Sequence, residues 1–133
     1  MATAEQRNRA KAFLKKAAEY LASAEDNLAA DRYTPAAGDA IHAGISAKDA
    51  IVTVLTGTSH KVKDHATAAK ELRQALGQRP EAPTAEKALR DLISAKSDVE
   101  YGVALVQRTK AEPLVRRARA LVDLATAIVR LGT

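Results

Sequence analysis

The chain contains no cysteine in 133 residues. That excludes a disulfide framework, a thiol nucleophile and any thiolate metal site. It has no tryptophan, and its aromatics are Phe13, Tyr20, Tyr33 and Tyr101. A core must therefore be assembled from Ala, Leu, Val and Ile. No apolar run approaches the ~18 residues that a membrane-spanning helix needs. Residues 1–9 are polar and lack the apolar centre of a secretory signal, so a cytoplasmic, membrane-free protein is the expectation. There is no Gly-x-Ser-x-Gly, no Gly-rich phosphate loop, no His-Glu-x-x-His and no Glu-x-x-His. Nucleophilic hydrolysis therefore lacks support, and neither a metal nor another cofactor is expected.

Apolar residues make up 47% of the chain and charged residues 28%, the balance of an ordinary globular domain. The length fits one domain over residues 1–133. The formal net charge is +5, which permits an acidic or nucleic-acid partner without requiring one. The excess is uneven. After Gly102, the bases Arg108, Lys110, Arg116, Arg117, Arg119 and Arg130 face only the acids Glu112 and Asp123.

Apolar residues recur every three or four positions between clusters of helix breakers, and nothing alternates as a strand would. The pattern predicts an all-α antiparallel bundle of about five helices. The first covers about residues 4–30. The second starts after Thr34 as N-cap, with Pro35 at its first position, and runs to about Leu55, where Gly57 stops it. The third covers about 64–76 and the fourth runs from after Thr84 to about Lys96. The last covers about 111–131, with Thr109 and Glu112 at capping-box spacing and Pro113 in the first turn. Residues 99–107 read as an irregular connector around Gly102, although Tyr101, Val103 and Leu105 could also form an extended piece or a broken continuation of the fourth helix.

The second helix is small or apolar almost all round, which marks a central element. Gly44 in its middle costs about 1 kcal/mol relative to Ala, a loss that close approach by a neighbouring helix would offset. One stripe is polar: Asp39, His42, Ser46, Asp49 and Thr53, at steps of three or four. Such a stripe is either a solvated helix edge or the lining of a polar pocket, with His42 as proton donor or ligand contact. His65 shares a face with Ala69, Leu72 and Leu76. It reads as an inward-pointing structural histidine with a carboxylate partner such as Asp49, and it is also a candidate pocket residue.

The last helix carries Arg116, Arg119 and Arg130 opposite a wide apolar band, and the first carries Lys11 and Lys15. These are either solvated faces or a phosphate-contacting surface whose affinity would fall with salt. No aromatic interleaving supports base stacking.

The small-residue run Ala37–Ile51, then Asp64-His65 followed by Ala69 and Leu72, then Glu100-Tyr101-Gly102 ahead of a helix containing Ala118, together resemble the HEPN superfamily over nearly the whole chain. The resemblance implies a bundle of four or five helices that is often dimeric. Many members are ribonucleases of toxin–antitoxin and defence systems; others bind nucleotides or accompany a nucleotidyltransferase. It also implies, for the ribonucleases, an Arg followed four to six residues later by a His near the last helices. Here all three histidines precede residue 66 and none follows an Arg at that spacing. The interval from Arg32 to His42 is too long, and no His follows Arg108. The expectation is a non-catalytic HEPN-like binding module, a homodimer or docked on a partner such as a nucleotidyltransferase or antitoxin. Nucleic-acid binding by the basic face and a degenerate ribonuclease are the alternatives.

Overall fold

The computed structural model describes residues 2–57 and 65–131, with the backbone alone at 65 and 66. Among these residues the chain forms six helices and no strand: α1 (Ala4–Ala29), α2 (Tyr33–Thr56), α3 (His65–Leu76), α4 (Ala82–Ser94), α5 (Lys96–Tyr101) and α6 (Arg108–Leu131). The all-α bundle is as the periodicity predicts, with the short α5 following α4 across Ala95.

Helix α1 begins where Thr3 and Gln6 form a reciprocal capping box. Thr3 Oγ1 accepts from the Gln6 amide at 3.1 Å, and Gln6 Oε1 accepts from the Thr3 amide at 2.8 Å, so two otherwise orphaned donors are paired. The helix ends in a Schellman turn. The Arg32 amide donates to the Asn27 carbonyl at 2.8 Å and the Asp31 amide to that of Leu28 at 3.1 Å. This turn needs a left-handed residue, and Asp31 fills it at φ 62°, a conformation that Asp tolerates better than most side chains.

Helix α2 is the central element. It packs on α1, α3, α4, α5 and α6 and buries Ala36, Ala40, Ile41, Ala43, Ala47, Ala50 and Ile51 completely. A Cβ on Gly44 would sit 2.6 Å from Leu92 Cδ1 and 3.5 Å from Leu121 Cδ1. The missing side chain thus admits leucines from α4 and α6, and side-chain tips rather than a helix backbone make the close approach. Gly57 closes α2 at φ 95°, where residues with a Cβ are strained.

Three boundaries differ from the periodic reading. Helix α2 starts at Tyr33, so Thr34 lies in its first turn and is not the N-cap. Its hydroxyl accepts instead from the Val106 amide at 3.1 Å. Helix α4 starts at Ala82, with Pro83 in its first turn, where a missing N–H costs nothing. Helix α6 starts at Arg108, which puts Pro113 in the second turn and leaves Thr109 and Glu112 inside the helix rather than in a capping box. The Gln107 carbonyl accepts from the Lys110 and Ala111 amides, and tertiary bonds of Arg108 hold this early turn. The irregular connector is also shorter than expected. Val99 is buried on α2 beside Gly38, so helix persists to Tyr101 and only residues 102–107 are irregular.

Candidate interaction site

Tyr20, Ser23 and Asn27 of α1 are spaced to share one face and meet Asp39 and His42 of α2. Asp39 Oδ2 accepts from Ser23 Oγ at 2.6 Å and from Asn27 Nδ2 at 3.1 Å. The His42 ring stacks on Tyr20, with centroids 5.1 Å apart and planes at 28°. Its Nε2 lies 3.2 Å from Glu100 Oε1 at the end of α5. Asp39 and His42 therefore share a polar seam between α1 and α2. Ser46, one turn on, is buried. Asp49 lies elsewhere, 3.3 Å from Lys48 Nζ. The side chain of His65, and with it the expected pairing to Asp49, lies outside the described residues, as does His60.

Lys48 is the residue that the periodic reading overlooked. Its side chain is 2% exposed and pairs with Glu71 of α3 as well as with Asp49. The signal was available: on a helix apolar nearly all round, a lysine outside the polar stripe has to be buried, and a buried charge needs a partner.

The connector is held at both ends. On one side Glu100 is tied to His42; on the other the Val106 amide is tied to Thr34. Just beyond, Arg108 Nε–H donates to Tyr33 Oη at 2.9 Å and Nη2–H to Asp31 Oδ1 at 2.9 Å. The Tyr33 hydroxyl donates to the same carboxylate. The hydrogen bond with Tyr33, and then Asp31, raise the Arg108 pKa above its ordinary value. Between these anchors Tyr101 is 77% exposed, Leu105 79% exposed and Val103 fully exposed. Folding has left three large apolar side chains on five residues of backbone, 101–105, in water.

Four of the six bases after Gly102, Arg108, Lys110, Arg117 and Arg119, are engaged in ion pairs. A groove of about 510 Å³ runs between α1 and α6, with Glu25, Asp31, Arg108, Glu112, Arg116 and Arg119 on its walls. Arg119 makes a two-pronged bond to Glu25, both contacts at 2.7 Å. That hydrogen bond and the carboxylate charge raise its pKa. Arg117 pairs with Asp91 and Lys110 with Asp98. Arg116 lies in the groove without an ion pair among the described residues, and Arg130, Lys11 and Lys15 are exposed. A second groove, of about 340 Å³, lies between α4 and α6 and is lined by Glu81, Thr84, Ala85, Ala88, Leu121 and Leu124. Asp39, His42, Ser46 and Asp49 line neither groove.

Among the described residues no cluster of three or more His, Asp or Glu side chains could hold a metal, and no helix is long and apolar enough to cross a membrane. The model of the HEPN domain family matches residues 10–128. No curated protein and no solved structure matches the chain.

Proposed function

Because this chain belongs to the HEPN domain family, we propose that it is a non-catalytic interaction module of that family, self-associating or docking a partner protein through its connector end. The observation that carries the reading is the apolar tip Tyr101–Val103–Leu105, pinned at both ends and left uncovered. An exposed apolar cluster on a small domain marks a contact surface. A tip whose ends are already anchored loses little conformational freedom on binding. The missing Arg-to-His spacing removes the family's ribonuclease pattern, and the polar stripe of α2 is divided between two neighbourhoods instead of converging on a cavity. A homodimer is one form of the reading; a nucleotidyltransferase or antitoxin partner, as in toxin–antitoxin and defence systems, is the other.

Light scattering on the purified chain and affinity capture from its source cells, each with wild type and a Val103→Ser/Leu105→Ser variant, test the proposal. The expected result is self-association or one defined partner, lost in the variant. A monomer that captures the same proteins with or without the tip would sink it.

One observation favours nucleic-acid binding as a second reading: Arg116 faces the α1–α6 groove without an ion pair among the described residues. Arg119 is committed to Glu25, so Arg116, Arg130, Lys11 and Lys15 are the candidates that remain for phosphate contact. The expected signature is RNA affinity that collapses between low and moderate salt and drops in Arg116→Ala. Equal affinity in the two proteins would exclude it. A degenerate ribonuclease would have to use His42, which already holds Glu100, or His65. Cleavage that survives both His42→Ala and His65→Ala would come from a contaminant.

A further inference from the structure

Arg108, Arg116 and Arg119 line the groove between α1 and α6 together with Glu25, Asp31 and Glu112, and the three arginines are not equivalent. Every guanidinium nitrogen of Arg108 faces an oxygen. Its Nε faces Tyr33 Oη at 2.9 Å, its Nη2 faces Asp31 Oδ1 at 2.9 Å and its Nη1 faces Glu112 Oε1 at 3.5 Å. Arg119 is held likewise, by Nε and Nη2 on Glu25, both at 2.7 Å, and by Nη1 facing Asp123 at 3.6 Å. Arg116 is exposed and makes no ion pair or side-chain hydrogen bond among the described residues. Its planar fork of five N–H donors is open.

The carboxylates differ in the same way. Both oxygens of Glu25 are taken by Arg119, and Asp31 Oδ1 accepts from Arg108 and Tyr33. Glu112 has only the long contact from Arg108. An open cation and a lightly held anion therefore stand one helical turn apart on α6, where side chains four residues apart are neighbours.

The charges of the walls decide what fits. Three carboxylates and three guanidiniums leave the groove neutral. A phosphate monoester brings a charge of about −1.5 to −2 and would face those carboxylates unbalanced. A zwitterion adds no net charge. Its carboxylate matches the guanidinium fork with two parallel hydrogen bonds, and its ammonium suits Glu112. The remaining wall is apolar: Leu28, Ala29 and Val115. The groove of about 510 Å³ lies within the roughly 300–1,000 Å³ of small-molecule sites.

The geometry points to a binding site for a free apolar α-amino acid, with its carboxylate on Arg116, its ammonium on Glu112 and its side chain against Leu28, Ala29 and Val115. This site goes beyond the interaction reading and uses a different face of the molecule from the connector.

NMR titration of the isotope-labelled chain with leucine tests it. The expected result is saturable shifts at the amides of Leu28, Ala29, Val115 and Arg116, with a Kd of about 1 mM for so small a ligand. N-acetylleucine lacks the ammonium and leucinamide lacks the carboxylate, so each should bind at least fivefold more weakly. Arg116→Gln and Glu112→Gln should weaken leucine by a similar factor, and circular dichroism checks that both keep the helical signal. Val103→Ser/Leu105→Ser should bind leucine as the wild type does, which separates this site from the connector reading. No saturable shift up to about 10 mM leucine would overturn the inference. So would equal binding of N-acetylleucine, or equal affinity in Arg116→Gln. Tighter binding of inorganic phosphate at the same amides would overturn it too, and would favour the phosphate reading of Arg116.

Discussion

On the α1 flank of α6 the side chains are charged and, Arg116 excepted, already answered. Arg119 holds Glu25, and Arg108 holds Asp31 and Tyr33. In the connector the large side chains are apolar and unanswered: Tyr101, Val103 and Leu105 stand in water. From composition alone the basic flank looks like the interactive one. The fold reverses that. Charge that pairs within the molecule has less left to offer a partner, whereas apolar surface that folding fails to bury keeps its driving force for association.

The contrast can be broken experimentally, beginning where the largest effect is expected. Leu121 is 1% exposed beneath the apolar groove and near Gly44, so Leu121→Ala should cost about 2–5 kcal/mol in chemical denaturation. A loss well under about 1 kcal/mol would mean that α6 is loosely packed against α4.

Glu71→Ala tests an ion pair of the opposite kind, one that is buried. Removing one of the two carboxylates on the buried Lys48 should cost up to about 3 kcal/mol, and Lys48→Met/Glu71→Leu should recover most of it. A double variant no better than the single would mean that the pair itself, rather than the buried charge left with Asp49 alone, carries the stability. The surface pair answers differently. Arg119→Ala should cost less than about 1 kcal/mol, because exposed pairs gain little over water, and the loss should shrink with added salt. A larger, salt-insensitive loss would give that flank a structural weight that its exposure denies.

The smallest change in stability belongs to the tip. Val103→Ser/Leu105→Ser should leave unfolding within about 0.5 kcal/mol of wild type while weakening association. A clear drop in stability would show that the tip is packed in solution.

Much of this architecture is legible in the residues. The small-residue periodicity of α2 announces a central helix, and the structure buries it on almost every side. Gly57 marks its end, and the HEPN resemblance read from Ala37–Ile51 and Glu100-Tyr101-Gly102 agrees with the family match over residues 10–128. The starts of α2 and α6 were not legible, because what holds them is distant in sequence: Val106 finds Thr34, and Arg108 finds Asp31 and Tyr33. The polar stripe of α2 was legible as a stripe but not as two neighbourhoods, Asp39 and His42 against α1 and α5, and Asp49 beside the buried Lys48. Lys48 could have been recognised as buried from its place on an apolar helix, but its partner Glu71 could not.

What the amino-acid order alone determines here is where the chain coils and which helix lies at the centre, because both follow from side chains within one or two turns of each other. Which charges remain free and which apolar residues remain uncovered is decided only in three dimensions. Glu25 meets Arg119 across 94 positions and Asp31 meets Arg108 across 77, distances over which no local pattern specifies a partner. The surface open to another molecule is what remains after those long-range pairings are made.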